Sequence, residues 1–187
     1  MSEETTLSAR RRDRVVAAAT DVFLRYGYAR TTMGDIAQAT GLSRPTLYLT
    51  FPDKESIFRA VIETMAAARL AAIRLGVAAS TTLGAKLCVI CEAWAADGFE
   101  LVLANPDAKD MFDLSFAPVR ECYAIFEAQL VDLLKEPLQR IGMGDKATEL
   151  ARVLVYSTRG FKDASTDGAT MRRMIRTQIA VVSALLD

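Results

Sequence analysis

Cys88 and Cys91 stand three residues apart in Cys88-Val89-Ile90-Cys91. A CxxC pair can exchange thiol and disulfide where one thiolate is stabilised. With Cys122 the chain has three cysteines and no histidine. A structural metal site needs about four ligands, so this set cannot build one alone. The absence of histidine also removes imidazole bases and His-dependent triads. An odd cysteine count suits free thiols in a reducing compartment. The CxxC pair sits in a helical pattern, so its first reading is two buried apolar side chains, with a helical thiol-redox protein as the rival.

A second constellation is polar and cationic. Ser43-Arg44-Pro45-Thr46 opens a short helix, and Tyr48 follows within it. Arg44 can bond guanine O6 and N7 together, Thr46 can meet a base edge or a thymine methyl, and Tyr48 can reach a phosphate. Leu49 either reads a thymine methyl or packs. Thr31 and Thr32 open another helix, where hydroxyls and free N–H groups suit a phosphate. Lys54 follows Asp53 at the positive end of a helix dipole, a place that disfavours a cation unless an anion binds there. A basic run, Arg10, Arg11, Arg12 and Arg14, precedes them all. Net charge is zero, but it is unevenly spread: residues 1–54 hold eight Lys or Arg against six Asp or Glu. Without Glu3 and Glu4 this segment carries +4, and the remainder carries −2. Such asymmetry suits a phosphate-facing end joined to a domain with other work.

These residues need helices to hold them. Val15, Ala18, Ala19, Val22, Phe23 and Tyr26 recur at helical spacing, which predicts a first helix over about 8–26 with Gly27 as its stop. Thr32 and Asp35 form a capping-box pattern for a second helix over 33–40. Gly41 permits a tight turn, Ser43 caps a third helix over 44–51, and Pro52 ends it. Asp53 then caps a long fourth helix reaching about Gly76, roughly 35 Å at ~1.5 Å per residue. Short helices joined by a glycine turn make a helix-turn-helix arrangement.

The segment RVVAAATDVFLRYGYARTTMGDIAQATGLSRPTLYLTFPDKESIF, residues 14–58, resembles the N-terminal domain of tetracycline-repressor (TetR) type regulators. The likeness rests on Tyr26-Gly27-Tyr28, the Thr31-Thr32 cap, Ile36-Ala37, Gly41-Leu42-Ser43, Thr46-Leu47-Tyr48, Phe51-Pro52 and Lys54-Glu55. Thr50 departs from it, since similar proteins often carry an aromatic or histidine there. The resemblance implies DNA binding, with Lys54 on the DNA backbone, a ligand pocket among the middle helices, and repression more than activation.

The remaining pattern is helical too, near 82–103, 106–116, 118–139, 145–163 and 169–186. Pro106 and Pro118 suit first turns, Pro137 predicts a kink or an end, and Gly98 marks a bend. The fold expected is therefore all-α, with about nine helices. A three-helix helix-turn-helix domain (1–54), linked through the long helix 53–76, precedes a larger ligand-binding and dimerisation domain (55–187).

Reading two half-sites of a palindromic double-stranded operator requires a homodimer. Leu150, Val153, Leu154 and Phe161 form one apolar stripe, and Ile175, Ile179, Val182 and Leu186 another. Two such helices per subunit would make an intersubunit four-helix bundle. Cys91, Trp94, Phe99, Met111, Phe112, Phe116, Tyr123 and Phe126 supply large side chains for a small, largely apolar effector, although such stripes often form plain core. Glu92, Asp113, Tyr123 and Glu127 are candidate orienting polar groups. No cofactor or metal is expected and no enzyme activity. Arg69 and Arg74 interrupt the most apolar stretch, well short of the ~20 residues of a membrane span. A cytoplasmic regulator is the expectation. A ligand-binding protein without DNA binding is the remaining alternative.

Overall fold

The computed structural model describes residues 3–186, with side chains from Thr6 onward. The side chains of Glu3 and Glu4, the acidic tip in the charge pattern, lie outside the described residues. Among the described residues there is no strand. The α-helices run in the order α1 (Glu3–Arg30), α2 (Met33–Thr40), α3 (Arg44–Thr50), α4 (Lys54–Ala79), α5 (Leu83–Cys91), α6 (Asp97–Ala104), α7 (Ala117–Arg140), α8 (Ala147–Ala164) and α9 (Gly168–Leu186). No helix among them is long and apolar enough to cross a membrane.

The chain forms two compact units. The first comprises the residues through Ala67 together with Asn105–Val119, so it extends past the expected boundary at Lys54. Its core is built from α1 (Val15, Ala19, Phe23), α2 (Ile36), α3 (Leu47) and α4 (Phe58), all buried. The second comprises Ala68–Ala104 and the chain from Arg120 onward, and centres on Leu87, Phe126, Leu130, Leu154, Ile175 and Ile179.

Several boundaries differ from the sequence pattern, each for a local reason. Gly27 breaks α1, as expected of a stop, but a further turn follows it. It takes φ 77° and ψ 166°, a region essentially reserved for glycine, and the helix resumes to Arg30. Tyr26, in the last turn before the break, is 45% exposed, and beyond it the changed phase packs Tyr28 inward against Phe23, Phe58 and Phe116. Pro106–Phe112 is a 3₁₀ segment, shorter than the helix expected over 106–116. The stretch 82–103 is not one regular helix. Glu92–Ala96 is a π turn between α5 and α6, in which the Asp97 N–H reaches the Glu92 carbonyl. The irregularity precedes Gly98, where the bend was expected. Pro137 lies inside α7, which continues to Arg140. Only one ladder bond is lost there, and both Pro137 and its neighbour Leu138 are buried. The helix ends instead at Gly142 (φ 75°), where the Met143 N–H reaches the Leu138 carbonyl.

Candidate nucleic-acid interface

The turn between α2 and α3 is assembled from caps. At the start of α2, Thr32 Oγ1 accepts from the Asp35 N–H (3.2 Å), and an Asp35 carboxylate oxygen accepts from the Thr32 N–H (2.8 Å) and hydroxyl (2.7 Å). This is the expected capping box. The Thr32 hydrogen bonds, with the nearby Arg44 charge, hold the Asp35 carboxyl below its ordinary range. Gly41 takes φ 67° and returns its N–H to Ala37 and Gln38 carbonyls. Ser43 then caps α3: its Oγ accepts from the Thr46 N–H (3.3 Å) and lies 2.8 Å from Thr46 Oγ1.

Leu47 (0% exposed) and Phe51 anchor α3 from beneath. Its outer surface carries Ser43, Arg44, Pro45 and Tyr48, all exposed, with Thr46 half-buried among them. Leu49 is 85% exposed, so it does not pack inside this subunit. The Arg44 side chain folds across Gly34 of α2, where a Cβ would collide with its Nη2. The Arg12 guanidinium stacks 4.2 Å from the centre of the Phe51 ring, tying the basic run of α1 to the end of α3. Neither the Gly34 rest nor the Arg12 stack was read from the sequence. Both join residues far apart in the chain with no spacing signal.

Thr31 and Lys54 are placed differently from Thr32. Thr31 is 1% exposed, and its hydroxyl donates to the Gly27 carbonyl (2.7 Å). Lys54 is half-buried. Its Nζ donates to the carbonyls of Tyr28 (2.8 Å) and Thr31 (2.9 Å) and lies 4.2 Å from the centre of the Tyr28 ring. The ammonium thus closes the C-terminal end of α1, where free carbonyls attract a cation. Asp53 caps α4 as expected, accepting from the Ser56 N–H (2.7 Å). The 3₁₀ segment is fastened to the same corner. Asp110 accepts from the Tyr28 (2.9 Å) and Ala29 (2.7 Å) N–H groups, and Arg30 pairs with Asp107.

The residues expected around an effector divide between the two units. Met111, Phe112 and Phe116 belong to the first, where Met111 is buried and Phe116 packs on Tyr28 and Phe58. Asp113 lies there as well. Cys91, Trp94, Phe99, Tyr123 and Phe126 come together in the second, with Trp94 stacked on Phe126 at 5.5 Å. Glu92 forms a two-pronged pair with Arg176, and Glu127 pairs with Arg152. Burial pushes the Cys91 thiol up to about 12 and raises Cys88 as well. A reactive thiolate needs the opposite shift, so the structure lends no support to thiol-redox chemistry at this pair.

Of the residues expected at a dimer contact, Leu154, Ile175, Ile179 and Leu186 are buried in the second unit's own core. Leu150, Phe161 and Val182 are half-buried against it, while Val153 is exposed. The regular stripes of α8 and α9 face the second unit's own interior. The outward apolar residues of α8 and α9 are Val153, Tyr156, Val181 and Leu185.

Residues 15–61 match the sequence pattern of the bacterial regulatory proteins, tetR family. Over 52 residues the chain is 42% identical to the HTH-type transcriptional repressor ComR of Escherichia coli, a stretch that is 28% of this chain and 25% of that protein. The chain therefore spans about a quarter of the length of such curated relatives. Similarity in fold covers nearly all of it. A tetR-family transcriptional regulator from Cytophaga hutchinsonii superposes with a TM-score of 0.66 at 20% identity, over 92% of this chain and 94% of that one. FadR of Bacillus subtilis, solved in complex with stearoyl-CoA, gives 0.65 at 16% identity, over 89% and 96%.

Proposed function

We propose that this chain, whose N-terminal domain belongs to the tetR family of bacterial regulatory proteins, is a dimeric DNA-binding repressor whose operator affinity changes when a small molecule binds its second unit. The observation that carries this reading is the first turn of α3. Ser43, Arg44 and Pro45 are exposed on a helix seated by the buried Leu47 and Phe51. A recognition helix must present its N-terminal residues to base edges while its far side is held by the protein. Arg44 and Thr46 read bases, Tyr48 and Thr32 meet phosphates, and Leu49 offers an apolar contact to a thymine methyl. The basic run on α1 supplies backbone attraction. Thr31 and Lys54 hold the corner from which α2 and α4 start, and so set where Thr32 faces the DNA backbone.

One α3 reads too few base pairs to be selective, so two copies act together on a palindromic site. The exposed Val153, Tyr156, Val181 and Leu185 support pairing through α8 and α9 of each copy. The effector is a small, largely apolar molecule held near Trp94, Phe99, Tyr123 and Phe126. The stearoyl-CoA bound by FadR, a protein of similar fold, supports such an occupant. The chain passes between the two units within α4 and at both ends of the Asn105–Val119 segment. Occupancy that shifts α4 would alter the separation of two α3 helices, and a coupling of about 1–3 kcal/mol changes operator affinity 5–150-fold. Such a protein works in the cytoplasm, on chromosomal DNA, as a regulator and not as an enzyme.

Duplexes selected by the native protein from a random pool, then bound in gel-shift assays to R44A, test this. R44A is expected to lose about 1–3 kcal/mol of discrimination at a guanine while its weak nonspecific binding persists. Selection that enriches no sequence would overturn the reading.

A further inference from the structure

In the second unit, Arg152 pairs with Glu127, Arg176 with Glu92, and Arg172 with Asp97 and Glu100. Two half-buried arginines do not follow this pattern. On α4, Arg69 Nη1 donates to the carbonyls of Ala93 (2.5 Å) and Trp94 (3.4 Å), both in the π turn. A guanidinium has five N–H donors. Among the described residues, those on Nε and Nη2 of Arg69 meet no acceptor, and they are not sealed from solvent. Nη1 lies against Gly98, where a Cβ would sit 3.4 Å from it. The carboxylate whose charge most supports Arg69 is Asp97, and its Oδ1 is engaged by Arg172 at 2.6 Å.

Arg159, on α8, lies with its Cζ 5.6 Å from the centre of the Tyr123 ring. Among the described residues it has no carboxylate partner. The Tyr123 hydroxyl likewise has no hydrogen-bond partner among them. Burial raises the Tyr123 phenol, while Arg159 and Arg69 both pull it down, so its oxygen feels both cations. Beside this group, the half-buried Trp94 stacks on the buried Phe126, and the half-buried Phe99 packs against the same core. Two half-buried cations, and a hydroxyl with no hydrogen-bond partner among the described residues, thus lie beside these aromatic side chains. A half-buried guanidinium with spare N–H donors gains from an anion that accepts from them.

We infer that Arg69, Arg159 and Tyr123 receive the anionic head group, a carboxylate or a phosphate, of an effector whose apolar body lies along Trp94 and Phe99. The inference rests on the second unit being the effector-binding part. It specifies the occupant as an amphipathic anion.

Trp94 is the chain's single tryptophan, so its fluorescence reports on this site alone. The purified full chain is titrated with decanoate, decyl phosphate, decanol and decyltrimethylammonium below their aggregation limits. Decanoate or decyl phosphate should shift the Trp94 emission saturably, and the better of the two identifies the head group. Decanol and the ammonium compound should bind more weakly. R159Q breaks no hydrogen bond within the described residues, so it should fold normally and bind the anion about tenfold or more weakly, as loss of a charge-assisted contact implies. Y123F should give a smaller loss. Equal binding of decanol, unchanged binding by folded R159Q, or no response to either anion overturns the inference. Gel shifts on the same samples are scored separately. Anion binding without DNA binding would sink the proposed function and leave this inference standing.

Discussion

At the scale of single residues, Lys54 shows how one side chain can serve two readings. Its place beside Asp53, at the start of α4, suggests a phosphate ligand on dipole grounds. In the fold its ammonium donates to two carbonyls at the end of α1 and lies over the Tyr28 ring. Hydrogen bonds to a charged group contribute roughly 1.5–3 kcal/mol each when lost. K54M, which keeps the stem, is therefore expected to lower the thermal midpoint by several degrees and to weaken binding to all duplexes together. Calorimetry beside gel shifts checks this. An unchanged midpoint with weakened DNA binding would place the ammonium on phosphate and not in the scaffold. Arg44 has a comparable dependence on a neighbour, because its guanidinium rests where Gly34 has no side chain.

At the scale of elements, the end of α1 is a joint made by one glycine. Gly27 adopts a conformation that side-chain-bearing residues avoid, and a Cβ there would strike the Asp107 carbonyl and approach Asp110 Oδ1 at 2.9 Å. The reversal it makes frees the Tyr28 and Ala29 N–H groups for the Asp110 carboxylate. G27A should cost about 1–3 kcal/mol for the backbone strain alone, with the contact to the 3₁₀ segment adding to it. A denaturant midpoint equal to the native one would contradict this account. The π turn at Glu92–Ala96 is a second irregular joint, and π bulges tend to occur where a helix serves a site. Here it turns two carbonyls toward Arg69.

At the scale of the whole molecule, two copies must meet for the proposed function to hold. Val153 (57% exposed) on α8 and Leu185 (72% exposed) on α9 are outward apolar residues available to do so. Neither Val153 nor Leu185 belongs to the core cluster. The double substitution V153E/L185E should leave the helical content intact, yield monomers in light scattering, and reduce operator affinity to that of an isolated half-site. A dimer that survives both charges would show that other faces make the contact.

Local chemistry determined the helix-turn-helix end. The Thr32–Asp35 box, the Gly41 turn and the Ser43 cap each depend on atoms within a few residues, so α2 and α3 were legible from the sequence, as was the outward turn at Ser43. The all-α fold was legible for a similar reason, since helical periodicity repeats over short distances. Only the tertiary structure decided what lies far apart in the chain. It turned Tyr28 inward in place of Tyr26, joined Asp110 to α1, set Arg69 against the π turn and put Arg159 beside Tyr123. It also placed the regular stripes of α8 and α9 on the second unit's own core. Periodicity reports that a helix has an apolar face; which neighbour covers that face depends on packing between distant segments, and no local pattern encodes it.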